Sequence, residues 1–288
     1  MKWVTRERAR VDRIACPWLI TRFIDPEPVF RFVPAERVAA TAEAEGAIPF
    51  DVPGVELGHH GDRCSFDAFV ERHELDDPAL ERLGAIVRGA DTDRRTLAAE
   101  SAGLHAAASG FRLIARDDHD NIALQFPLYD ALYAHCRDEL GPVKPRGVRL
   151  AFVCLHGAAK SVLAAALARR LGAERGIDVR AIAAGIEPDA EVSPAAVRGL
   201  TADGLDAPAG RPRRATLYDV RSASRVVTFG CDLGRLAPEA AHVDDWPDVP
   251  AVSDGYETAR DAIRERVDRL IADPTTWHLG RDPGAGTP

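Results

Sequence analysis

The chain has 288 residues, 46% of them apolar and 28% charged, with a formal net charge of −8. That length allows one large or two ordinary domains, each able to bury its own core, and the composition is that of a soluble globular protein. The acidic balance argues against a general nucleic-acid footprint, which needs a basic face, but leaves room for a local basic pocket around a small oxyanion.

The chain opens on Met1-Lys2-Trp3-Val4-Thr5-Arg6, which lacks the apolar segment of a signal peptide, and no later apolar run approaches the ~20 residues that span a bilayer. A cytoplasmic location is expected, with neither membrane nor nucleic acid as a partner. Residues 2–7 are predicted to be extended, and 12–25 helical from the spacing of Ile14, Trp18, Leu19 and Phe23. Pro17 suits that helix's first turn, which puts Cys16 at or near its N-cap. An extended 29–33, a helix over 35–45 and a short strand over 47–52 complete a β-α-β-α-β start, the pattern of a small parallel sheet. Helices are then expected over 65–74, 77–88, 98–116 and 118–139, with Ser65, Asp77 and Asp117 or Asp118 as N-caps.

The run Gly141-Pro142-Val143-Lys144-Pro145-Arg146-Gly147 breaks every periodicity and is the expected linker. This gives domains over 1–140 and 148–273, a linker at 141–147 and a loose tail over 274–288. The second half alternates: strands at 148–153, 179–183 and 225–229, and helices at 161–175, 194–204, 217–222 and 253–271. The expected fold class is therefore α/β: an N-terminal α/β domain with a helical second half, then a doubly wound parallel sheet. The five cysteines, Cys16, Cys64, Cys136, Cys154 and Cys231, are odd in number and widely spread. They form no disulfide framework, so reduced thiols are expected.

The first strand of the second half runs into Cys154-Leu155-His156-Gly157-Ala158-Ala159-Lys160-Ser161 and then an Ala/Leu-rich helix. Loop amides and unpaired N–H groups at a helix start converge on one point past the strand end and can cradle an anion. A cysteine there faces the positive end of the helix dipole, which favours the nucleophilic thiolate. The spacing comes close to the C-x5-R-[S/T] signature of cysteine-dependent phosphatases. With Ala184-Gly185, Val226-Val227-Thr228-Phe229, Trp246, Pro250-Ala251 and Asp261-Ala262-Ile263, it resembles low-molecular-weight protein tyrosine phosphatases and the arsenate reductases built on that fold.

The resemblance implies Cys154 as nucleophile, Lys160 holding the oxyanion with the loop residues Leu155, His156, Gly157, Ala158 and Ala159, Ser161 supporting the thiolate, and Asp248 as general acid. No cofactor is required there. Three parts of the site depart from the family pattern. Lys160 replaces an arginine, a point charge for a planar bidentate fork. Val249 stands where the acid belongs, with Asp248 one residue early. Gly230 and Ala237 occupy the resolving-cysteine positions of thioredoxin-coupled reductases, with Cys231 displaced by one. Each residue also has a structural reading: His156 as a solvated loop side chain, Cys231 as a packed residue, Asp248 as a turn residue between prolines, and Arg211, Arg213 and Arg214 as a solvated loop.

In the first half, Glu56-Leu57-Gly58-His59-His60-Gly61-Asp62-Arg63-Cys64 concentrates metal-capable side chains, and Asp91, Asp93, Asp118 and His119 add others. Glu56, His59, His60, Cys64, Asp91 and His119 form the candidate ligand set for iron, manganese or zinc. Asp117 and Asp118 are equally explained as favourable charge at a helix start. The stretches 3–6, 12–20, 48–51, 59–66 and 129–133 resemble the chromate-resistance ChrB domain. Longer members carry an added N-terminal segment linked to chromate-responsive regulation; since this sequence starts at the domain, a DNA-binding regulator is not the expected reading.

The functional expectation is a chromate or oxyanion resistance protein. Its second domain binds a tetrahedral oxyanion (chromate, arsenate or phosphate) and acts as a cysteine-dependent phosphatase, or as an arsenate reductase with a thiol reductant. The alternative is a non-catalytic oxyanion sensor with a metal-dependent first domain.

Overall fold

The computed structural model describes residues 1–141, 147–208 and 210–272. The chain divides into two compact units, Met1–Val143 and Lys144–Pro288. Apart from Gly141 and Gly147, the expected linker lies outside the described residues, as does the expected tail.

In the first unit, β1 (Lys2–Arg6) lies between β2 (Val29–Val33) and β3 (Ile48–Pro49), all parallel. Parallel neighbours need crossovers, which α1 (Val11–Leu19) and α2 (Val38–Glu45) supply. Four helices follow: α3 (Ser65–Arg72), α4 (Pro78–Asp91), α5 (Ser101–Ile114) and α6 (Asp118–Leu140). The last of these fixes where α1 begins. The Asp118 carboxylate accepts from the Arg8 and Ala9 amides at 2.8 and 2.6 Å, and the Tyr129 hydroxyl donates to the Val11 carbonyl at 3.0 Å. Further along, the Trp18 indole N–H donates to Asp130 at 2.7 Å, and its ring packs on Phe23 and Tyr133 at 5.6 and 5.8 Å. Truncating a buried aromatic of this kind costs about 3–5 kcal/mol. The motif residues Trp18, Tyr129, Asp130 and Tyr133 are thus one clamp between α1 and α6.

The clamp corrects the expected start of α1. The helix begins at Val11, so Pro17 lies inside it and Cys16 is buried mid-helix, not near the N-cap. A proline in that interior lacks the N–H that would continue the hydrogen-bond ladder, and the helix leaves the α pattern soon afterwards as a π turn over Ile20–Ile24. Cys64, not Ser65, is the N-cap residue of α3, where the Asp67 carboxylate accepts from the Cys64 amide at 2.9 Å.

The second unit is a four-stranded parallel sheet in the order β5 (Val179–Gly185), β4 (Val148–Cys154), β6 (Arg225–Thr228) and β7 (Val243–Asp245). Side chains alternate along β4. Leu150, Phe152 and Cys154 enter one core with residues of α7 (Lys160–Glu174), α8 (Pro194–Ala202) and α10 (Tyr256–Ala272). Ala151 and Val153 enter the other with Leu217 and Val220 of α9 (Leu217–Ser222). A strand covered on both faces reads as a continuous apolar run, as this one does. The doubly wound expectation holds. The three-residue β7 was not predicted, because Val243-Asp244-Asp245 has no alternation to read; its pairing with β6 makes it a strand.

The loop after α8 departs from its expected solvated character at Arg213. Its guanidinium is buried and forks onto Asp219 at 2.7 and 2.9 Å. Burial raises the Asp219 carboxyl, but the Arg213 charge and hydrogen bonds and the Thr216 amide outweigh it and hold the group below the usual carboxylate range. A depressed native value stabilises the fold above the unfolded value of ~3.9, and that stability is lost as pH falls through the native one. Arg213→Met strands the buried charge and is expected to cost about 3–5 kcal/mol in denaturant unfolding at neutral pH. It also removes the acid-side loss of stability that Asp219 contributes in the parent, which unfolding scans below pH ~4 would reveal.

Candidate functional site

In the second unit β4 and β5 end side by side at Cys154 and Gly185. Gly157 turns with φ +64°, and a Cβ there would stand 2.7 Å from the Gly185 nitrogen; one on Gly185 would stand 2.7 Å from the Gly157 nitrogen. Only two glycines allow this backbone approach. The carbonyls of Cys154, Leu155, His156 and Ala158 accept from the amides of Ile186, Glu187, Asp189 and Ser193 at 2.8–3.2 Å. The Gly157 N–H, by contrast, donates to Cys154 Sγ at 3.2 Å, and the buried Ser161 hydroxyl lies 3.3 Å from the same sulfur. Helix α7 starts at Lys160 from Ala159, which offers no side-chain cap. The sulfur thus lies at an uncapped helix start, with one amide donating to it and one hydroxyl oxygen beside it.

The remaining expected residues lie around this core. Lys160 Nζ donates to the Val249 carbonyl at 2.5 Å, which ties the loop's cation to the neighbouring 246–251 segment. Asp248 pairs with Arg266 at 2.5 Å and is 70% exposed, so its carboxylate is held at the surface. Val249 itself is buried. His156 Nδ1 stands 3.3 Å from both the Glu187 carbonyl and Asp189 Oδ1, engaged with the adjoining loop. Leu155 is exposed, and Ala158 is buried beneath the turn. Cys231 Sγ lies 3.4 Å from the Val153 carbonyl, and burial raises its thiol.

The first unit holds a second constellation. Asp12, in the first turn of α1, is fully buried and accepts from the Ser65 and Phe66 amides at the start of α3 at 2.7 and 3.2 Å. Its own N–H donates to Asp91 at 3.4 Å. His59 Nε2 faces three carboxylates, Asp12 at 3.2 Å, Asp51 at 3.3 Å and Asp91 at 3.5 Å. Asp51 has φ +48°, a left-handed conformation uncommon outside glycine, and binds the Ser65 hydroxyl, Arg6 and Arg13 at 2.9, 3.2 and 3.1 Å.

The electrostatics follow from this packing. Burial, then the charges of Asp91 and Asp51, push the Asp12 carboxyl well above its usual range against the pull of His59. Burial also raises Asp51, but His59, Ser65 and the two arginines outweigh it and lower the carboxyl. Hydrogen bonds to Asp12 and Asp51 raise the His59 imidazole.

Of the six expected ligands, only His59 and Asp91 meet. Glu56 pairs with Arg72 at 2.8 Å, and the His60 ring bonds the Glu56 carbonyl at 2.8 Å. Cys64 is buried at the start of α3 with its thiol raised by desolvation. His119 stacks edge-on against Phe32. Asp12 and Asp51 were not recognised as site residues, because neither lies in the histidine-rich loop. Both sit in stretches that carry the ChrB resemblance, which was the available signal. Glu100, His135 and Glu139 form a second group, shared with Arg82.

Residues 3–136 match the family model of the ChrB C-terminal domain, and residues 149–273 match that of low molecular weight phosphotyrosine protein phosphatase. Protein ChrB of Cupriavidus metallidurans is 37% identical over 137 residues, covering 46% of this chain and 40% of its own length. The chain therefore spans less than half of that curated relative. Among solved structures, YfkJ from Bacillus subtilis is similar at 19% identity with a TM-score of 0.41, covering 46% of this chain and 98% of its own. A thioredoxin-dependent arsenate reductase of Corynebacterium glutamicum is similar at 24% identity and TM-score 0.38, covering 51% and 74%. An arsenate reductase of Archaeoglobus fulgidus is similar at 26% identity and TM-score 0.33, covering 43% and 99%. Among the described residues no helix is long and apolar enough to cross a membrane. The first unit is thus similar to the ChrB C-terminal domain over residues 3–136, and the second to low molecular weight phosphotyrosine protein phosphatase over residues 149–273.

Proposed function

We propose that this is an oxyanion-resistance protein whose second unit binds a tetrahedral oxyanion at the 154–161 loop and reacts with it through Cys154. The observation that carries the reading is the pair of groups on one sulfur: the Gly157 N–H donates to it at 3.2 Å, and the thiol donates to the Ser161 hydroxyl oxygen at 3.3 Å, a hydroxyl free to turn and donate once the proton is lost. The chemistry is displacement at the central atom. With a phosphate ester, the thiolate forms an S–P bond, the P–O bond to the alcohol breaks, and water then hydrolyses the cysteinyl phosphate. With arsenate, the thiolate displaces a hydroxide, which leaves as water after protonation, and an added thiol then attacks the cysteine sulfur. That attack leaves arsenite and a mixed disulfide, with Cys154 and the added thiol each giving one of the two electrons. A second thiol then attacks the mixed disulfide, releases the Cys154 thiolate and leaves as the disulfide, so two added thiols supply the reducing equivalents of a turnover.

Asp248 is occupied by Arg266, so protonation of the leaving group is the weakest step. A positioned general acid is typically worth 100- to 10,000-fold, so substrates that leave without one are favoured, aryl phosphates over alkyl phosphates. The runner-up reading is a non-catalytic oxyanion sensor. Lys160 held on the Val249 carbonyl favours it, since that cation is already engaged by a group of the protein.

Two measurements separate the readings. Aryl phosphate hydrolysis and thiol-dependent arsenate reduction by the parent are expected to fall at least ~1,000-fold in Cys154→Ser, with phosphate or arsenate binding retained. Anion binding without Cys154-dependent turnover in the parent would establish the sensor instead. Lys160→Arg is expected to raise the aryl phosphatase kcat, by up to about 100-fold if the guanidinium replaces one properly placed oxyanion donor. An unchanged rate would assign the deficit to the missing acid at Val249.

A further inference from the structure

We propose that the first unit holds a divalent metal ion of the manganese and iron class between Asp12, His59 and Asp91. The three come from separate elements: the first turn of α1, the loop between β3 and α3, and the last residue of α4. One ligand atom from each lies within 4.8 Å of the others. His59 Nε2 lies 3.2 Å from the Asp12 carboxylate and 3.5 Å from that of Asp91, separations that a single cation spans with bonds of roughly 2.0–2.2 Å.

Charge separates this arrangement from an ordinary ion-pair network. Arg6 and Arg13 are both bound to Asp51, at 3.2 and 3.1 Å. Among the described residues, His59 is the one basic side chain within ion-pair reach of Asp12 and Asp91. Two neighbouring carboxylates, one fully buried and the other largely so, thus share a single imidazole. Like charges in such a place repel unless a cation sits between them. A dication bound there lets both carboxylates ionise and turns the imidazole from a proton carrier into a ligand.

The donors are also held in place from outside the trio. Asp12 is fixed by the two α3 amides and, through Val11, by Tyr129 on α6. Asp91 accepts from the Asp12 backbone, and Asp51 stands 3.3 Å from the same His59 nitrogen as a fourth oxygen donor. Preorganised first-shell groups on rigid elements are what a metal site requires.

Access and ligand type narrow the occupant. Asp12 forms the floor at 1% exposure, while Asp91 and His59 rise to 21% and 43%, so an ion exchanges from solvent and keeps open positions. One imidazole among carboxylates suits a hard to borderline divalent ion. The neighbouring Cys16 and Cys64 are buried, and neither is among the side chains whose ligand atoms converge with His59, so the set lacks the sulfur that softer metals select.

The test uses the full chain stripped by chelator and titrated with Mn2+, followed by Mn2+ electron paramagnetic resonance and by thermal unfolding. One Mn2+ per chain is expected, with a rise in Tm. His59→Ala removes a half-exposed side chain and leaves the fold intact; it and Asp91→Asn are each expected to weaken Mn2+ binding at least ~10-fold. His135→Ala, in the Glu100–His135–Glu139 group, and Cys154→Ser leave the affinity unchanged, so the result is independent of the chemistry proposed for the second unit. A parent that takes up no stoichiometric Mn2+, or a His59→Ala variant that binds as tightly as the parent, overturns the proposal.

Discussion

The unpaired N–H groups at the start of a helix demand a negative partner, and each unit answers that demand differently. In the first unit the chain supplies the anion itself: Asp12 accepts from the Ser65 and Phe66 amides at 2.7 and 3.2 Å. One buried carboxylate thereby links α1 to α3, touches α4 through Asp91 and draws in His59. In the second unit, α7 begins at Lys160 without a side-chain cap, and the loop before it folds onto the Cys154 sulfur through the Gly157 amide. A helix start already satisfied by the protein builds structure, whereas an uncapped one leaves its N–H groups open to another partner.

Both sites lie past the carboxyl ends of parallel strands, where α/β sheets place ligands, and both depend on backbone that ordinary residues tolerate poorly. Gly157 at φ +64° presses against Gly185, which brings the anion loop against the end of β5. Asp51 at φ +48° is held by Arg6 and Ser65 among its contacts, which turns its carboxylate toward His59. In each case local strain is compensated by bonds from elsewhere in the unit, and it occurs where side chains of different elements converge.

Much of this was legible in the sequence, for a physical reason. The apolar run before Cys154 is continuous because β4 is buried on both faces, and the small residues after it are needed for the close turn. Those features are local in the chain, so pattern reading finds them. The first-unit constellation is not local. Asp12, Asp51, His59 and Asp91 are brought together by helix packing, and a histidine-rich stretch draws attention away from solitary aspartates. His60 is next to His59 in sequence yet bonds the Glu56 carbonyl, because adjacent residues on extended chain point apart. The start of α1 was misplaced for a related reason. Pro17 is a strong local signal, but the bonds that set the helix at Val11 come from Tyr129 and Asp118, more than 100 residues later.

The lysine in the anion loop shows how one substitution reshapes a site beyond its own contact. A guanidinium at position 160 would satisfy an oxyanion with two parallel donors and would lose that geometry by turning away. An ammonium on a four-carbon stem has no such preference, and here it donates to the Val249 carbonyl. That bond couples the anion loop to the segment bearing Asp248, whose carboxylate is already engaged by Arg266. The two departures from the phosphatase pattern, lysine for arginine and valine at the acid position, therefore meet at one contact. On the function proposed above, an anion entering the loop would compete with the Val249 carbonyl for the same ammonium, so the energy of binding would include the loss of that bond. Selectivity between anions would then be a property of the loop and the 246–251 segment together.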